Sequence, residues 1–140
     1  MMSCGPLWGS HNLGNGLYLL EGDKIEDQII VYSTNASKIF GASSGRYVLP
    51  LYKNHYDSSG RYKEYVEKAE SNRHWIVAKS ILVKSKKANY WIINKDFNVD
   101  KLNFENRNVD SAIQSKIAGP FTLDEFKIET DELHVNLFLK

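Results

Sequence analysis

Two apolar runs on either side of a lysine-rich break constrain this chain most. Residues 73–83 read Arg-His-Trp-Ile-Val-Ala-Lys-Ser-Ile-Leu-Val, residues 84–87 read Lys-Ser-Lys-Lys, and the chain resumes as Tyr90-Trp91-Ile92-Ile93-Asn94. β-Branched and aromatic side chains suit a pleated backbone, and a short polar break reverses it, so the stretch reads as a β-hairpin. Trp75, Val77, Ile81 and Val83 alternate onto one face, yet Ile76, Ala78 and Leu82 make the opposite face apolar too. Strands with two apolar faces need cover on both sides, which places this pair at the centre of a sheet.

The rest of the chain is organised around that hairpin. With 140 residues it has the length of one domain that buries roughly two-thirds of its unfolded surface. A composition of 42% hydrophobic and 25% charged residues is that of a globular protein. No apolar run approaches the ~20 residues that cross a bilayer as a helix. The formal net charge of +1, with basic and acidic residues interspersed, offers no field for nucleic acid, so none is expected as a partner.

Taken in order, Asn12-Leu13-Gly14-Asn15-Gly16 supplies a turn, Leu17–Leu20 a strand, and Gln28–Tyr32 a second strand returning as a hairpin. Residues 33–45 read as a Ser- and Gly-rich loop carrying Ile39-Phe40, and Arg46–Leu49 as a strand ended by Pro50. Tyr62, Tyr65, Val66 and Ala69 recur at helical spacing, so a short amphipathic helix is expected to end near Ser71-Asn72. Residues 95–108 read as an irregular edge. Asn108 stands where it would cap a helix carrying Val109, Ala112, Ile113 and Ile117 inward, broken by Gly119-Pro120. Thr122 with Glu125 forms a capping box, and Phe121 with Phe126 a hydrophobic staple, so a last helix starts at Leu123 and ends near Glu132. The expected architecture is a single α+β domain over residues 12–140, an antiparallel sheet of about five strands with two or three short helices, preceded by a flexible segment over residues 1–11.

Four fragments in this order are similar to an uncharacterised bacterial family, a domain of unknown function found in small, lipoprotein-like envelope proteins. They are residues 12–16 followed by an apolar strand, Trp75–Lys79, Tyr90–Asn94, and Gly119-Pro120-Phe121-Thr122 opening a helix. Residues 50–72 and 95–118 depart from it, reading as an inserted helix and a longer connection. The resemblance implies a fold and an address, the periplasm or outer envelope, and no activity. Met1-Met2-Ser3-Cys4-Gly5 also looks like the end of a lipoprotein signal whose basic and apolar regions have been trimmed away, with Cys4 as the lipidated residue and the only membrane attachment. The alternative is a cytoplasmic start with Cys4 a free thiol; as a lone cysteine it forms no internal disulfide.

No nucleophile elbow, glycine-rich phosphate loop or H-E-x-x-H motif is present. His11, His55, His74 and His134 lack ligand spacing, so no metal and no cofactor is expected. Asp124, Glu125, Glu129, Asp131 and Glu132 suit a solvated helix, and a hydrolase of envelope polymers using two of them as acid and base is the enzymatic alternative. The aromatic density between Tyr47 and Trp75 is the unusual feature. Tyr62, Tyr65, Tyr47 and Trp75 are expected in the core, whereas Tyr52, His55 and Tyr56 lie in a polar loop and are the candidate contact residues. Lys84, Lys86 and Lys87 form the hairpin tip, a solvated edge or a landing point for an acidic partner. With no catalytic constellation, the expected function is a non-enzymatic, protein-binding domain of the bacterial envelope, in its sharper form an immunity protein that occludes a toxin. A structural accessory subunit of an envelope complex is a further alternative.

Overall fold

A computed structural model describes residues 11–32, 46–96, 112–137 and 139. They are mostly sheet with few helices, arranged as two antiparallel four-stranded meanders. The first comprises β1 (His11–Gly14), β2 (Leu17–Leu20), β3 (Ile29–Tyr32) and β4 (Arg46–Leu49); the second comprises β5 (Glu64–Ser71), β6 (Trp75–Leu82), β7 (Ala88–Asn94) and β8 (Ile117–Phe121). The α+β class stands, but two sheets replace the expected single sheet of five strands. Leu17, Ile30, Tyr32 and Val48 from the first sheet and Val66, Ile76, Ala78 and Ile93 from the second share one core. Each sheet thus covers one face of the other.

The β6–β7 hairpin occupies the middle of the second sheet, as its two apolar faces require. Ile76, Ala78 and Ile93 point into the core between the sheets, while Val77 and Ile92 pack with Phe126 and Val135 on the other side. Phe126 belongs to α2 (Leu123–Glu132), whose first turn is closed by the expected capping box. Thr122 Oγ1 accepts from Glu125 N at 3.2 Å, and Glu125 Oε1 accepts from Thr122 N at 2.8 Å. Phe121 joins Phe126 in the same cluster, and the Tyr90 and Phe126 rings lie 5.1 Å apart. The second sheet is therefore a middle layer between the first sheet and α2.

The helix expected near residues 62–71 is strand β5 instead, and a β-bulge explains the misleading spacing. Val66 pairs with Ser80 and Ala69 with Ala78, with the register shifting between Val66 and Lys68. The extra residue, Glu67, lets side chains three positions apart share a face, which in sequence imitates a helical stripe. The bulge is held from the first sheet: Val66 N donates to Gln28 O at 2.8 Å, and Gln28 Nε2 donates to the carbonyls of Val66 and Glu67 at 2.9 and 3.1 Å. That accounts for a buried glutamine between two apolar layers.

Residues 112–114 are helical and bury Ile113, but Ile117, expected in the same helix, belongs to β8. Gly119-Pro120, expected as a helix breaker, also lies within β8. Gly119 takes φ +132, and a Cβ there would meet Tyr90 O at 2.8 Å and Trp91 Cε3 at 2.9 Å, so the strand closes on β7 only with glycine. Pro120 is tolerated because β8 is an edge. The turn at Asn15-Gly16 forms as expected, but it joins β2 to a strand, β1, that the sequence did not disclose. Ile39-Phe40, Asn108, Val109 and the proposed edge beyond Asp96 lie outside the described residues.

Candidate functional site

The aromatic stretch after β4 folds as a short, tightly tied loop. Leu51 O accepts from Asn54 N and His55 N at 2.8 and 2.9 Å, making one helical turn, α1 (Tyr52–His55), which stops because Tyr56 is already extended. The chain then doubles back through Asp57-Ser58-Ser59-Gly60. Asp57 Oδ1 accepts from Ser59 N, Ser59 Oγ and Arg61 N at 2.8, 2.7 and 3.0 Å, and Gly60 takes φ +82. Three donors hold that carboxyl below its ordinary value, the Ser59 hydroxyl foremost. Asp57 N to Arg61 O at 2.9 Å and Lys63 N to His55 O at 2.8 Å complete the reversal and bring Tyr56 opposite Tyr62.

This reversal gathers five rings. His55 sits among them, with centroids 4.3 Å from Tyr56, 5.6 Å from Tyr62 and 6.0 Å from Tyr47. Tyr52 stands edge-on to Tyr47 at 5.2 Å and 89°, and lies 5.6 Å from Tyr56. His55 is only 1% exposed and its Nδ1 lies 2.8 Å from Glu64 O. A carbonyl only accepts, so Nδ1 carries the proton, and the imidazole is tied to the start of β5. His55 supports the surface from beneath and cannot itself offer a ring to a partner.

Asp27, at the end of the 3-10 turn Ile25–Asp27, closes the far side of the cluster. Tyr62 Oη donates to its Oδ1, and Lys24 N donates to Oδ2 at 3.1 Å. The tyrosine hydroxyl, with smaller help from the Lys24 amide and from His55 nearby, holds the Asp27 carboxyl below its ordinary value against the opposing effect of burial. The same bond pushes Tyr62 up to about 12. Tyr47 and Tyr56 are raised mainly by burial, so both hydroxyls stay protonated at neutral pH.

Above these rings lies an open concavity of about 740 Å³ lined by Tyr47, Tyr52, Lys53, Tyr56, Asp57, Ser58 and Gly60. Tyr52 is 62% exposed, an unusual position for a large aromatic, while its neighbours Tyr47 and Tyr56 are half-buried. Of the sequence candidates, Tyr52 and Tyr56 therefore line one surface. Sequence reasoning passed over Lys53 and Asp57 and assigned Tyr47 and Tyr62 to the core. The turn chemistry at residues 57–60 was the signal that the loop reverses and folds Tyr62 back beside Tyr56. Lys84, Lys86 and Lys87 are exposed at the β6–β7 tip and do not line the concavity. Cys4 lies outside the described residues.

Beneath the bowl a second polar chain runs inside the core. Ser80 Oγ donates to Glu64 Oε2 at 2.6 Å and accepts from Trp91 Nε1 at 2.8 Å. Serine beside a carboxylate and a histidine has the composition of a hydrolytic site, but Ser80 is 0% exposed and bonded to the carboxylate directly, so no substrate reaches it and no imidazole activates it. Of the acids on α2, Glu125 is engaged in the cap and Asp131 borders a groove of about 440 Å³ with Leu123, Lys127 and His134. Among the described residues no group of three or more His, Cys, Asp or Glu side chains converges to hold a metal ion, and no helix is long and apolar enough to cross a membrane. Comparison with protein-family models, curated proteins and solved structures found no match.

Proposed function

We propose that this chain is a non-enzymatic binding domain that engages a protein partner through the tyrosine bowl. The observation carrying this reading is Tyr52, a large ring left exposed at the mouth of a concavity whose other walls, Tyr47 and Tyr56, are held by the buried His55. A tyrosine offers wide contact area with few rotors to freeze and a hydroxyl to hydrogen bond, the profile of residues that dominate interfaces. The supporting loop is tied by its own backbone and by Asp57, so little ordering cost falls on binding. The envelope address rests on the sequence, through Cys4 and the family resemblance, and an immunity protein that occludes a toxin is the sharper form of the proposal.

The test is capture of the partner from envelope extract, its identification, and titration of the purified pair. Tyr52→Ala with Tyr56→Ala should weaken binding at least 30-fold, about 2 kcal/mol for a central aromatic anchor. A partner that binds the double variant as tightly as the parent protein rules the bowl out. Genes encoding a toxin beside this one would support the immunity role.

A further inference from the structure

The aromatic loop borders a patch of charge. Lys63 joins the two through its backbone: its N–H donates to His55 O at 2.8 Å, and its carbonyl accepts from Val83 N at 2.9 Å. The β6–β7 tip therefore abuts the loop that builds the bowl, with Lys63 across from Val83 and followed along the tip by Lys84, Lys86 and Lys87. All four lysines are exposed, and none forms an ion pair among the described residues. Glu64, the acid beside Lys63 in β5, is buried and bonded to Ser80, so its carboxylate is not presented alongside them.

The backbone of Lys86 is an independent sign. Lys86 N donates to Leu82 O at 2.7 Å and Leu82 N donates to Lys87 O at 2.9 Å, so the loop closes with Lys86 at φ +62. Glycine or asparagine takes such a left-handed position readily, whereas the Cβ of a lysine is strained there. A tip that had only to turn and stay solvated would be served by those smaller residues. A long cation kept against the backbone preference, among like charges that repel it, fits a charge that is used.

Deepening the protein-binding reading and resting on it, we propose that the binding surface runs from the bowl onto the lysine tip, and that the partner protein meets the tip with an acidic face. Carboxylates of the partner stand opposite Lys63, Lys84, Lys86 and Lys87. Charges at the rim of an interface act on encounter more than on residence: complementary potentials speed association, while a desolvated aromatic anchor governs dissociation. The whole chain carries a net charge of only +1, so a nucleic acid meets no field extending beyond the tip. An anionic membrane calls for apolar side chains to insert beside the lysines, and among the described residues the exposed large ones, Ile25, Tyr52, Leu123, Ile128 and Leu133, all lie outside the tip.

The experiment titrates the full chain with acetylated decaglutamate amide, read by backbone amide NMR shifts, beside dodecathymidylate and vesicles of phosphatidylcholine with phosphatidylglycerol. Saturable shifts at Lys63 and residues 84–87 are expected with decaglutamate, and none at Lys24 or Lys127, which are exposed elsewhere. Raising NaCl from about 0.05 to about 0.3 M should weaken the binding about tenfold. Lys84→Gln with Lys86→Gln and Lys87→Gln should abolish it. Lys86→Gly separates the charge from the turn: it should raise the urea midpoint by relieving the backbone, yet weaken decaglutamate binding about threefold. With the partner captured from envelope extract, the triple variant should slow association about tenfold and leave dissociation within about twofold, whereas Tyr52→Ala should mainly speed dissociation. No saturation with decaglutamate, shifts spread over every exposed lysine, tighter binding of dodecathymidylate or of the vesicles, or partner association unchanged in the triple variant overturns the proposal. If the lysines prove silent while the partner still requires Tyr52, the acidic face falls and the binding domain stands. If the partner is indifferent to Tyr52, the bowl falls and the continuous surface with it.

Discussion

Glu64 and Asp27 each accept a hydrogen bond from a hydroxyl, Glu64 from Ser80 and Asp27 from Tyr62, and the two bonds face opposite environments. Glu64 and Ser80 are buried between the sheets, and their chain ends on the indole of the half-buried Trp91. Asp27 is only half-buried, at the end of its 3-10 turn, and the tyrosine it holds stands beside rings that open onto solvent. His55 joins the two regions, because its Nδ1 bonds the Glu64 carbonyl while its ring packs on Tyr56 and Tyr62. The same chemistry thus stabilises a core in one place and poses a surface in the other; what separates them is whether open space adjoins the polar group.

Breaking the closed side should have the largest effect. Ser80→Ala leaves the buried Glu64 side chain and the half-buried Trp91 N–H each short of a partner, and about 3 kcal/mol of stability should be lost, measured as a lower urea midpoint at unchanged slope. A loss under about 1 kcal/mol would mean that water replaces the hydroxyl and that the closed chain is not closed. On the open side, Tyr62→Phe should cost only about 1 kcal/mol near neutral pH, since solvent can replace the donor.

The pH dependence sharpens the contrast. Asp27 has a lowered folded-state pKa, so its contribution is present above the ordinary value of 3.8 and is lost as pH falls through the lower folded value. Tyr62→Phe should flatten that part of the acid limb of a pH–stability curve. Tyr62 itself is raised from 10.0 to about 12, so its contribution is complete below 10 and disappears as pH rises through about 12. A phenolate absorbance titration should show a component near 12 that Tyr62→Phe removes. The smallest effect on stability should belong to Tyr52→Ala: under about 0.5 kcal/mol by thermal denaturation, because that ring is exposed, whereas the proposed partner binding should weaken. A large loss of stability there would make Tyr52 a packing residue.

The sequence by itself determined the elements whose signals are local. The central hairpin declared itself through two apolar faces on each strand, and the last helix through Thr122, Glu125 and Phe126, because these patterns need only near neighbours to act. Only the tertiary structure decided that residues 64–71 form a strand. Ladder bonds to β6 and the clasp of Gln28, 38 residues away from Val66, outweigh a helical spacing that a bulge happens to imitate. The division into two sheets and the assembly of Asp27, Tyr47 and Tyr62 around His55 were hidden for the same reason: long-range pairing brings them together, and no local pattern records it. Tyr52 and Tyr56 were legible as candidates because a polar loop gives a tyrosine little reason to hide; His55 was misplaced because its reason, a carbonyl nine residues on, exists only once the loop has folded back.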